Sequence, residues 1–388
     1  MQPQHLKIAA LGDIMLDREV GKHFVEKPED FDFIEIGKIL SQYDIVLANL
    51  ENPVGIGGKA HPKQDPNVAF CSHPRTLEVL KKLNVNIVTL ANNHLLDYGE
   101  QSLKDTLTHL DDVNILHIGG GRNYDEANKP AFFNIRGQKI ALLASVMIYS
   151  ASTEKATTSQ AGVADYSTKK LISNIKKLRK QGYLVLVTIH WGVEYCFYPL
   201  PYQRNQAKKM IDAGASLIIG HGPHFPQGIE PYKNGEIIHS LGNFIFDEPY
   251  RYAKRSFIYG ASLSKDAKII EREIFPVTLN NHYPILDPKG EESKTGILVN
   301  NMHTMYQRKN KLFWQRINNR WFSNIAWRVS TMGSWKFIWL QPLSFYFSLS
   351  PSGLLKKFNL QNIKWTLNVI MNRLFRKTNR STKLKDTK

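Results

Sequence analysis

Residues 7–13 read KIAALGD, an apolar run that ends in a glycine and an aspartate, and this pattern decides the fold. Short runs rich in Ile, Val and Leu and bounded by turn residues are typical of buried β-strands. Similar apolar runs cover residues 45–48, 85–90, 140–145, 184–189, 216–219 and 237–241. The chain is therefore predicted to build its core on short strands.

Helical segments separate these predicted strands. Leu103, Leu107 and Leu110 recur at the spacing of one helical face, and similar patterns occur elsewhere. The predicted helices cover residues 76–83, 100–110, 168–181 and 203–213. Strands that alternate with helices predict a layered α/β domain, and such sheets usually bind ligands at the carboxyl ends of their strands.

Polar side chains of the metal-binding type follow the predicted strands. Carboxylate, amide and imidazole groups together suit divalent Zn²⁺, Mn²⁺ or Fe²⁺. The candidate ligands are Asp13, Glu51, Asn93, His190, His221 and His224. If they converge, one or two ions could polarise a substrate oxygen and activate a water molecule, so the sequence predicts a hydrolase-type metal site.

Each candidate ligand also has an ordinary structural explanation when it is taken alone. Asp13 could be a turn residue, Glu51 an acid of a surface loop, and His190 a hydrogen-bonded residue near the core. The segment 220–224, GHGPH, is harder to explain in this way because it places two imidazoles on one stiff turn. The structural explanation would have to hold independently at every strand end, so a shared site is favoured.

His94 is predicted to lie beside a bound substrate. A histidine there can stabilise developing charge or protonate a leaving oxygen. Asp97, three residues later, could orient the ring by accepting its second N–H. Asp97 could instead cap the helix that is predicted to begin near Gly99, because aspartate is favoured at that position. The sequence leaves both functions of Asp97 open.

Six motifs in a fixed order resemble the CapA family of capsule and poly-γ-glutamate synthesis proteins. They lie between about residues 6 and 250, and they are GDIMLDR at 12–18, ANLE at 48–51, ANNHLLDYG at 91–99, HWGVEY at 190–195, GHGPHFPQ at 220–227 and SLGNFIFD at 240–247. The resemblance implies the fold of the calcineurin-like metallophosphoesterases, a four-layer α/β sandwich with a dinuclear metal site. It also implies a function in making, modifying or anchoring a capsular polymer.

The same resemblance implies a function for each candidate ligand. By position it assigns Asp13 and His224 to a first metal, Glu51 to a bridge between two metals, Asn93, His190 and His221 to a second metal, and His94 to the leaving group. Three features depart from the metallophosphoesterase pattern. Met15 replaces a metal-binding histidine, a glutamate replaces the bridging aspartate, and two residues rather than one separate the last two histidines. These departures predict that the first metal is weakly held or absent.

Arg18 lies in the first motif and is predicted to bind substrate, because an arginine near a metal suits a carboxylate or phosphate. A surface ion pair is the alternative. Two functions stay open for the whole chain. One is a metal-dependent hydrolase or transferase that acts on a phosphoester or an anionic polymer. The other is a non-catalytic accessory component of capsular polymer synthesis, export or anchoring at a membrane surface.

Positive charge is concentrated near the carboxyl end. The 388 residues carry a formal net charge of +17, and residues 297–388 hold 17 of the 51 Lys and Arg but only one of the 34 acids. We predict a CapA-like domain over residues 1–285, a basic, aromatic and partly helical extension over 286–372, and a disordered basic tail over 373–388. A stretch with Pro284, Pro288 and Gly290 is interpreted as the linker.

The extension could pack on the domain, bind an anionic membrane surface or bind an acidic polymer, and charge alone does not decide among these. A nucleic-acid partner is not expected, because no nucleic-acid motif is present. The sequence shows neither a signal peptide nor an apolar run of about 18 residues, which predicts a cytoplasmic or peripheral membrane protein. Cys71 and Cys196 are too few for a disulfide framework.

Overall fold

Strands and helices alternate along residues 5–307 of this computed structural model, which describes that range apart from positions 149, 197, 249, 250 and 267. The strands of this range, β1 to β16, are Leu6–Ile14, Ile45–Leu50, Ile87–Thr89, Leu116–Ile118, Gly120–Gly121, Ala131–Ile135, Gln138–Val146, Gly162–Val163, Leu184–His190, Ala215–His221, Pro226–Tyr232, Gly235–Leu241, Asn243–Ile245, Arg255–Leu263, Ile269–Asn280 and Tyr283–Leu286. Its α-helices, α1 to α8, are Arg18–Glu26, Ile34–Leu40, Glu78–Lys82, Gly99–Asp112, Tyr124–Asn128, Thr168–Lys180, Pro201–Asp212 and Lys294–Gln307.

One mixed sheet holds the amino-terminal strands. Its order is β16-β15-β14-β1-β2-β3-β4, and β13 pairs with the end of β1. Strands β1 to β4 run parallel to one another, and β14 to β16 extend the sheet in antiparallel pairs. The carboxyl ends of β1, β2 and β3 therefore lie at the same edge of this sheet.

A second sheet has the order β11-β12-β10-β9-β7-β6. Its strands β7, β9, β10 and β12 are parallel, with antiparallel β6 and β11 at its edges. Every residue of β9, β10 and β12 is buried. Strands of this kind need a cover on both faces of the sheet.

Apolar side chains provide that cover in four layers. Ile8 of β1 and Leu186 of β9 belong to one buried cluster between the two sheets. The first sheet packs its other face against α1 to α4, where Leu107 is buried. Ile175 of α6 and Met210 of α7 are buried against the other face of the second sheet. The order helix, sheet, sheet, helix confirms the predicted four-layer α/β sandwich.

The predicted strands and helices all lie within observed elements or overlap them. The linker interpretation is wrong for its first part, because Pro284 lies in β16 and pairs with Leu279 of β15. Val299 of α8 is buried in the core between the sheets, so packed structure continues past residue 285. Residues 308–372 of the predicted extension, and the predicted tail at 373–388, lie outside the described residues. In the described part, no helix has the length and apolar character that a membrane span needs.

A close backbone contact at Gly12 joins β1 to the residue that precedes β13. The N–H of Asp13 donates to the carbonyl oxygen of Gly242 at 2.9 Å. A Cβ atom on Gly12 would lie only 2.0 Å from that same oxygen. Because only glycine permits this approach, Gly12 determines how closely β1 meets the segment before β13 and therefore where Asp13 lies.

We expect Gly12→Ala to lower the free energy of unfolding by about 1–3 kcal/mol, since an added methyl group must push two backbones apart. Urea denaturation of the metal-free protein, followed by circular dichroism, measures the change. Gly55→Ala is the matched control, because the nearest atom to a Cβ there is at 3.7 Å. Equal losses in the two variants would show that the Gly12 contact is not the cause.

Candidate metal centre

Two buried carboxylates form the centre of the site. Asp13 is the penultimate residue of β1 and Glu51 directly follows β2, and neither is exposed to solvent. Asp13 Oδ2 and Glu51 Oε1 have no hydrogen-bond partner. Because a buried anionic oxygen is costly unless it is paired, these two atoms mark a position that requires positive charge.

His224 contacts both carboxylates. Its Nδ1 lies 3.5 Å from Asp13 Oδ2, and its Nε2 lies 3.6 Å from Glu51 Oε1. One ligand atom from each of these three residues lies within 4.8 Å of the other two, a spacing that one cation can bridge. The structure thus brings together the residues that were predicted for the first metal and for the bridge.

His190 and His221 reach the same carboxylates from the second sheet. The two histidines are paired at the ends of β9 and β10. His221 Nδ1 lies 3.1 Å from Asp13 Oδ1, and His190 Nε2 lies 3.8 Å from Glu51 Oε1. His221 Nε2 is buried and has no hydrogen-bond partner. Both sheets therefore contribute ligands to one cluster.

Asn93 lies in the segment that follows β3. Its side-chain Oδ1 is buried without a partner, while its backbone carbonyl accepts hydrogen bonds from Ser150 Oγ at 2.7 Å and Thr153 Oγ1 at 2.9 Å. The preceding residue, Asn92, donates to Asn49 Oδ1 at 3.1 Å. Asn93 thus keeps a free amide oxygen of the type that was predicted for the second metal.

The turn that carries His221 and His224 requires left-handed backbone at two positions. Gly222 has φ +105° and His224 has φ +58°. A Cβ atom on Gly222 would lie 2.8 Å from the Trp191 carbonyl oxygen and 3.0 Å from His190 Nε2. Glycine is therefore required at position 222. The left-handed conformation of His224 is of the kind that persists where the surrounding structure fixes a functional side chain.

Burial and the charges of the cluster shift the pKa values of the two carboxylates in opposite directions. Burial alone would raise the pKa of Asp13, but hydrogen bonds and charge interactions with His221 and His224 outweigh it and hold that pKa well below its usual range. Burial, together with the negative charge of Asp13, raises the pKa of Glu51 well above its usual range. Of the two carboxylates, Asp13 is therefore the one that ionises more readily.

The pKa values of two of the histidines are also shifted in opposite directions. Burial acts to lower the pKa of His224, but the Glu51 and Asp13 carboxyl groups raise it to about 10. Burial lowers the pKa of His190 to about 3. His190 is consequently neutral, and a neutral imidazole is the form that binds a metal.

His94 and Asp97 form a buried pair. His94 Nδ1 lies 2.7 Å from Asp97 Oδ2, which leaves Nε2 as the nitrogen that can meet a substrate. Asp97 also accepts hydrogen bonds from Gln64 Nε2 at 2.6 Å, from Ser152 Oγ at 2.7 Å and from the Phe70 N–H at 3.0 Å. No side chain caps helix α4. Of the two functions considered for Asp97, the structure shows the orientation of His94 and not the helix cap.

Arg18 forms an ion pair with Asp247, which lies 229 residues later in the chain. Its guanidinium carbon is 4.7 Å from the centroid of the Phe70 ring, and the Phe70 ring lies 4.5 Å from the His94 ring. Arg18 Nε is buried and has no partner. The ion pair, which was the alternative to substrate binding, is therefore present. Phe70 contacts both the Arg18 guanidinium and the His94 ring.

Sequence reasoning missed two buried amides. Asn49 Nδ2 donates to Asp13 Oδ1 at 2.9 Å and to Glu51 Oε2 at 3.2 Å. Asn243 is paired with Asp13 across β1 and β13, and its Oδ1 lies 2.8 Å from His224 Nδ1. Both asparagines lie inside the motifs at 48–51 and 240–247, which was the only signal available in the sequence.

Met15 occupies the position where the metallophosphoesterase pattern has a metal-binding histidine. It is fully buried with Phe70, Phe246 and Leu279. Its sulfur accepts the N–H of Asp17 at 3.2 Å. Met15 is therefore part of an apolar cluster and not a ligand, so the expected first metal has one protein ligand fewer.

The residues present fit a divalent metal. Carboxylate oxygens, imidazole nitrogens and an amide oxygen are the ligands that Mn²⁺, Zn²⁺ and Fe²⁺ share. The buried polar atoms without partners that a cation would satisfy are Asp13 Oδ2, Glu51 Oε1, Asn93 Oδ1 and His221 Nε2.

Comparison with known proteins gives a consistent family. The family described as "Bacterial capsule synthesis protein PGA_cap" matches residues 7–248. The capsule biosynthesis protein CapA of Bacillus anthracis is 32% identical over 286 residues, which are 72% of this chain and 69% of that protein. The PGA biosynthesis protein CapA of Bacillus subtilis is 32% identical over 280 residues, 72% of this chain and 73% of that protein.

One solved structure with partial similarity is the NAD nucleotidase of Haemophilus influenzae. It is 13% identical to this chain, with a TM-score of 0.43, over 82% of this chain and 67% of that protein. The four-layer arrangement described above does not depend on this likeness.

We expect Mn²⁺ binding to release protons and to tighten as the pH rises from 6 to 9. A pKa of about 10 keeps His224 protonated over this range, and a metal requires the neutral ring. Each proton released should strengthen the apparent affinity roughly tenfold per pH unit. Calorimetry in two buffers with different heats of ionisation counts the protons. His224→Ala should release fewer, and an affinity that is independent of pH would contradict this assignment.

Proposed function

Because this chain belongs to the bacterial capsule synthesis protein family PGA_cap, we propose that it is a metal-dependent hydrolase or transferase of capsule or poly-γ-glutamate synthesis. Its substrate in this proposal is a phosphoester or a related anionic group. The main support is that ligand side chains from both sheets converge in one buried cluster. The converging residues are Asp13, Glu51, His190, His221 and His224.

One or two divalent ions, Mn²⁺, Zn²⁺ or Fe²⁺, would be held by these residues together with Asn93. Bound there, such an ion supplies the positive charge that polarises a substrate oxygen and acidifies water. The chain's own contribution is to gather the ligand side chains in the interior and to exclude bulk water. The complete burial of Asp13 and Glu51 supports that function.

His94 is the proton donor to the leaving oxygen in this proposal. Asp97 accepts the Nδ1–H of His94, so Nε2 is the nitrogen that exchanges a proton with the substrate. The hydrogen bonds of Asp97 with Gln64, Ser152 and the Phe70 backbone keep this acid in position.

Arg18 binds the anionic part of the substrate in this proposal. Its guanidinium is stacked on Phe70 and carries a buried, unpartnered Nε, so a donor remains after the ion pair with Asp247 is formed. A planar guanidinium can form two parallel hydrogen bonds with a carboxylate or a phosphate. Asp247 competes with such an anion for the same cation.

A second candidate function is a non-catalytic accessory component of capsular polymer synthesis. The specific observation that favours it is Met15, which packs in an apolar cluster at the position where the metallophosphoesterase pattern has a metal-binding histidine. In that case the cluster would bind a metal or an anion without turnover. The kinetic experiment below separates the two candidates.

We expect purified, Mn²⁺-loaded protein to hydrolyse an activated phosphodiester, and we expect His94→Ala to lower kcat by roughly 10²–10⁴-fold while metal content stays unchanged. The loss follows because the proton donor is removed while the metal ligands remain. Asp97→Asn should also lower kcat, since it leaves His94 poorly oriented. Turnover is measured by release of the coloured product, and metal content by elemental analysis.

His117→Ala is the matched control for that experiment. His117 also pairs with an aspartate, because its Nε2 lies 3.1 Å from Asp111 Oδ1, but this pair lies at the surface. The His117→Ala substitution should therefore leave kcat unchanged. An absence of turnover by the metal-loaded wild-type protein would reject the hydrolase and support the accessory candidate.

Two substitutions in the Arg18–Asp247 ion pair should change the affinity for phosphate in opposite directions. Arg18→Ala should weaken phosphate binding roughly 10–150-fold, because a charge-assisted hydrogen bond of about 1.5–3 kcal/mol is lost. Asp247→Asn should strengthen binding, because Arg18 loses its internal partner. Competition calorimetry on the Mn²⁺-loaded protein measures both effects. Weaker binding to both variants would indicate that the ion pair only supports the fold.

A further inference from the structure

Asn49 contacts more of the candidate metal ligands than its place in the sequence suggests. It is fully buried, and it is paired with Asp13 across the parallel strands β1 and β2. Its Nδ2 lies 2.9 Å from Asp13 Oδ1, 3.2 Å from Glu51 Oε2 and 3.3 Å from His190 Nδ1. Glu51 follows β2 directly, two residues after Asn49, and the 3.2 Å contact shows that the two side chains lie on the same side of the backbone.

Backbone groups fix the orientation of the Asn49 amide through Asn92. A backbone N–H can only donate a hydrogen bond, and a backbone carbonyl can only accept one. The N–H of His94 donates to Asn92 Oδ1 at 3.0 Å, and the carbonyl oxygen of Leu50 accepts from Asn92 Nδ2 at 2.7 Å. Asn92 therefore presents its NH₂ group to Asn49, and Asn49 accepts it through Oδ1 at 3.1 Å. The NH₂ group of Asn49 must then point towards the carboxylates.

That NH₂ group has two hydrogens, and two carboxylate oxygens are nearer to it than the imidazole of His190. It can thus donate one hydrogen to Asp13 and one to Glu51. Each of these carboxylates keeps a second oxygen with no partner, Asp13 Oδ2 and Glu51 Oε1. One oxygen of each acid is held by the amide, and the other is left for a cation.

We propose that Asn49 is a positioning residue that holds Asp13 and Glu51 at the spacing a divalent cation requires, with Asn92 fixing the direction of its amide. The proposal rests on the metal binding of the proposed function. A neutral side chain with two N–H donors and one acceptor is needed at this position. An aspartate would add a third acidic group, and an aliphatic side chain would remove the amide hydrogens that both buried carboxyl groups accept.

The test compares Mn²⁺ binding by full-length wild-type protein, Asn49→Ala and Asn49→Leu, with dissociation constants from calorimetry at one pH. We expect both variants to bind Mn²⁺ roughly 10–100-fold more weakly, the loss that is typical when a group supporting a metal ligand is removed. Asn49→Leu preserves most of the side-chain volume, so a similar loss in it excludes a simple cavity effect.

Asn52→Ala is the matched control. Asn52 is equally buried, three residues away, and forms three hydrogen bonds, with the Leu16 N–H, the Pro53 carbonyl and Ser72 Oγ. It should lose stability in thermal unfolding as the Asn49 variants do, yet keep wild-type Mn²⁺ affinity. Equal weakening in the Asn52 and Asn49 variants would overturn the proposal in favour of a general loss of folding.

The outcomes also separate this proposal from the proposed function. Wild-type protein that binds Mn²⁺ but hydrolyses no phosphodiester rejects the hydrolase, and weak binding by Asn49→Ala still supports the positioning residue. Unchanged Mn²⁺ affinity in both Asn49 variants overturns the positioning residue, whatever the activity is. No Mn²⁺ binding by the wild-type protein overturns both.

Discussion

Two carboxylates, Asp13 and Glu51, are held side by side in the interior, and the rest of the site is organised around the cost of that placement. Each buried ion costs several kcal/mol unless charge or hydrogen bonds compensate it. The metal-free site compensates with a proton on His224, whose pKa is raised to about 10 by the two carboxyl groups. A divalent cation would replace that proton. The balance of charge in the cluster thus links metal binding to proton release.

The packing of the four layers brings residues that are distant in sequence together at this site. The edge of the first sheet supplies Asp13 and Glu51, and β9 and β10 of the second sheet supply His190 and His221. Contact between the sheets is made by apolar side chains such as Ile8 and Leu186, which set the distance from which the imidazoles reach the carboxylates. The core and the site are therefore one structure, since a shift between the sheets would separate the ligands.

The sequence predicted the elements and ligands that depend on local patterns. The apolar run before Asp13 and the paired histidines on their glycine turn were enough to indicate strand ends and a metal site. Contacts set by strand register could not be predicted in this way. Asn49 lies opposite Asp13, and Asp247 pairs with Arg18 from 229 residues away, relations that exist only after the strands have paired. The strand containing Pro284 was missed because proline usually indicates a break.

Met15 gives the departure from the expected ligand pattern a physical meaning. Catalytic zinc sites commonly have three protein ligands and one position open for water or substrate, whereas closed sites with four protein ligands are structural. Asp13, Glu51 and His224 each place one ligand-type atom within 4.8 Å of the other two. The Met15 cluster includes Phe70 and Phe246, whose rings pack against His94 and His224. These apolar side chains border the cluster without contributing a carboxylate, amide or imidazole group, so Met15 is as compatible with a catalytic site as with a non-catalytic one.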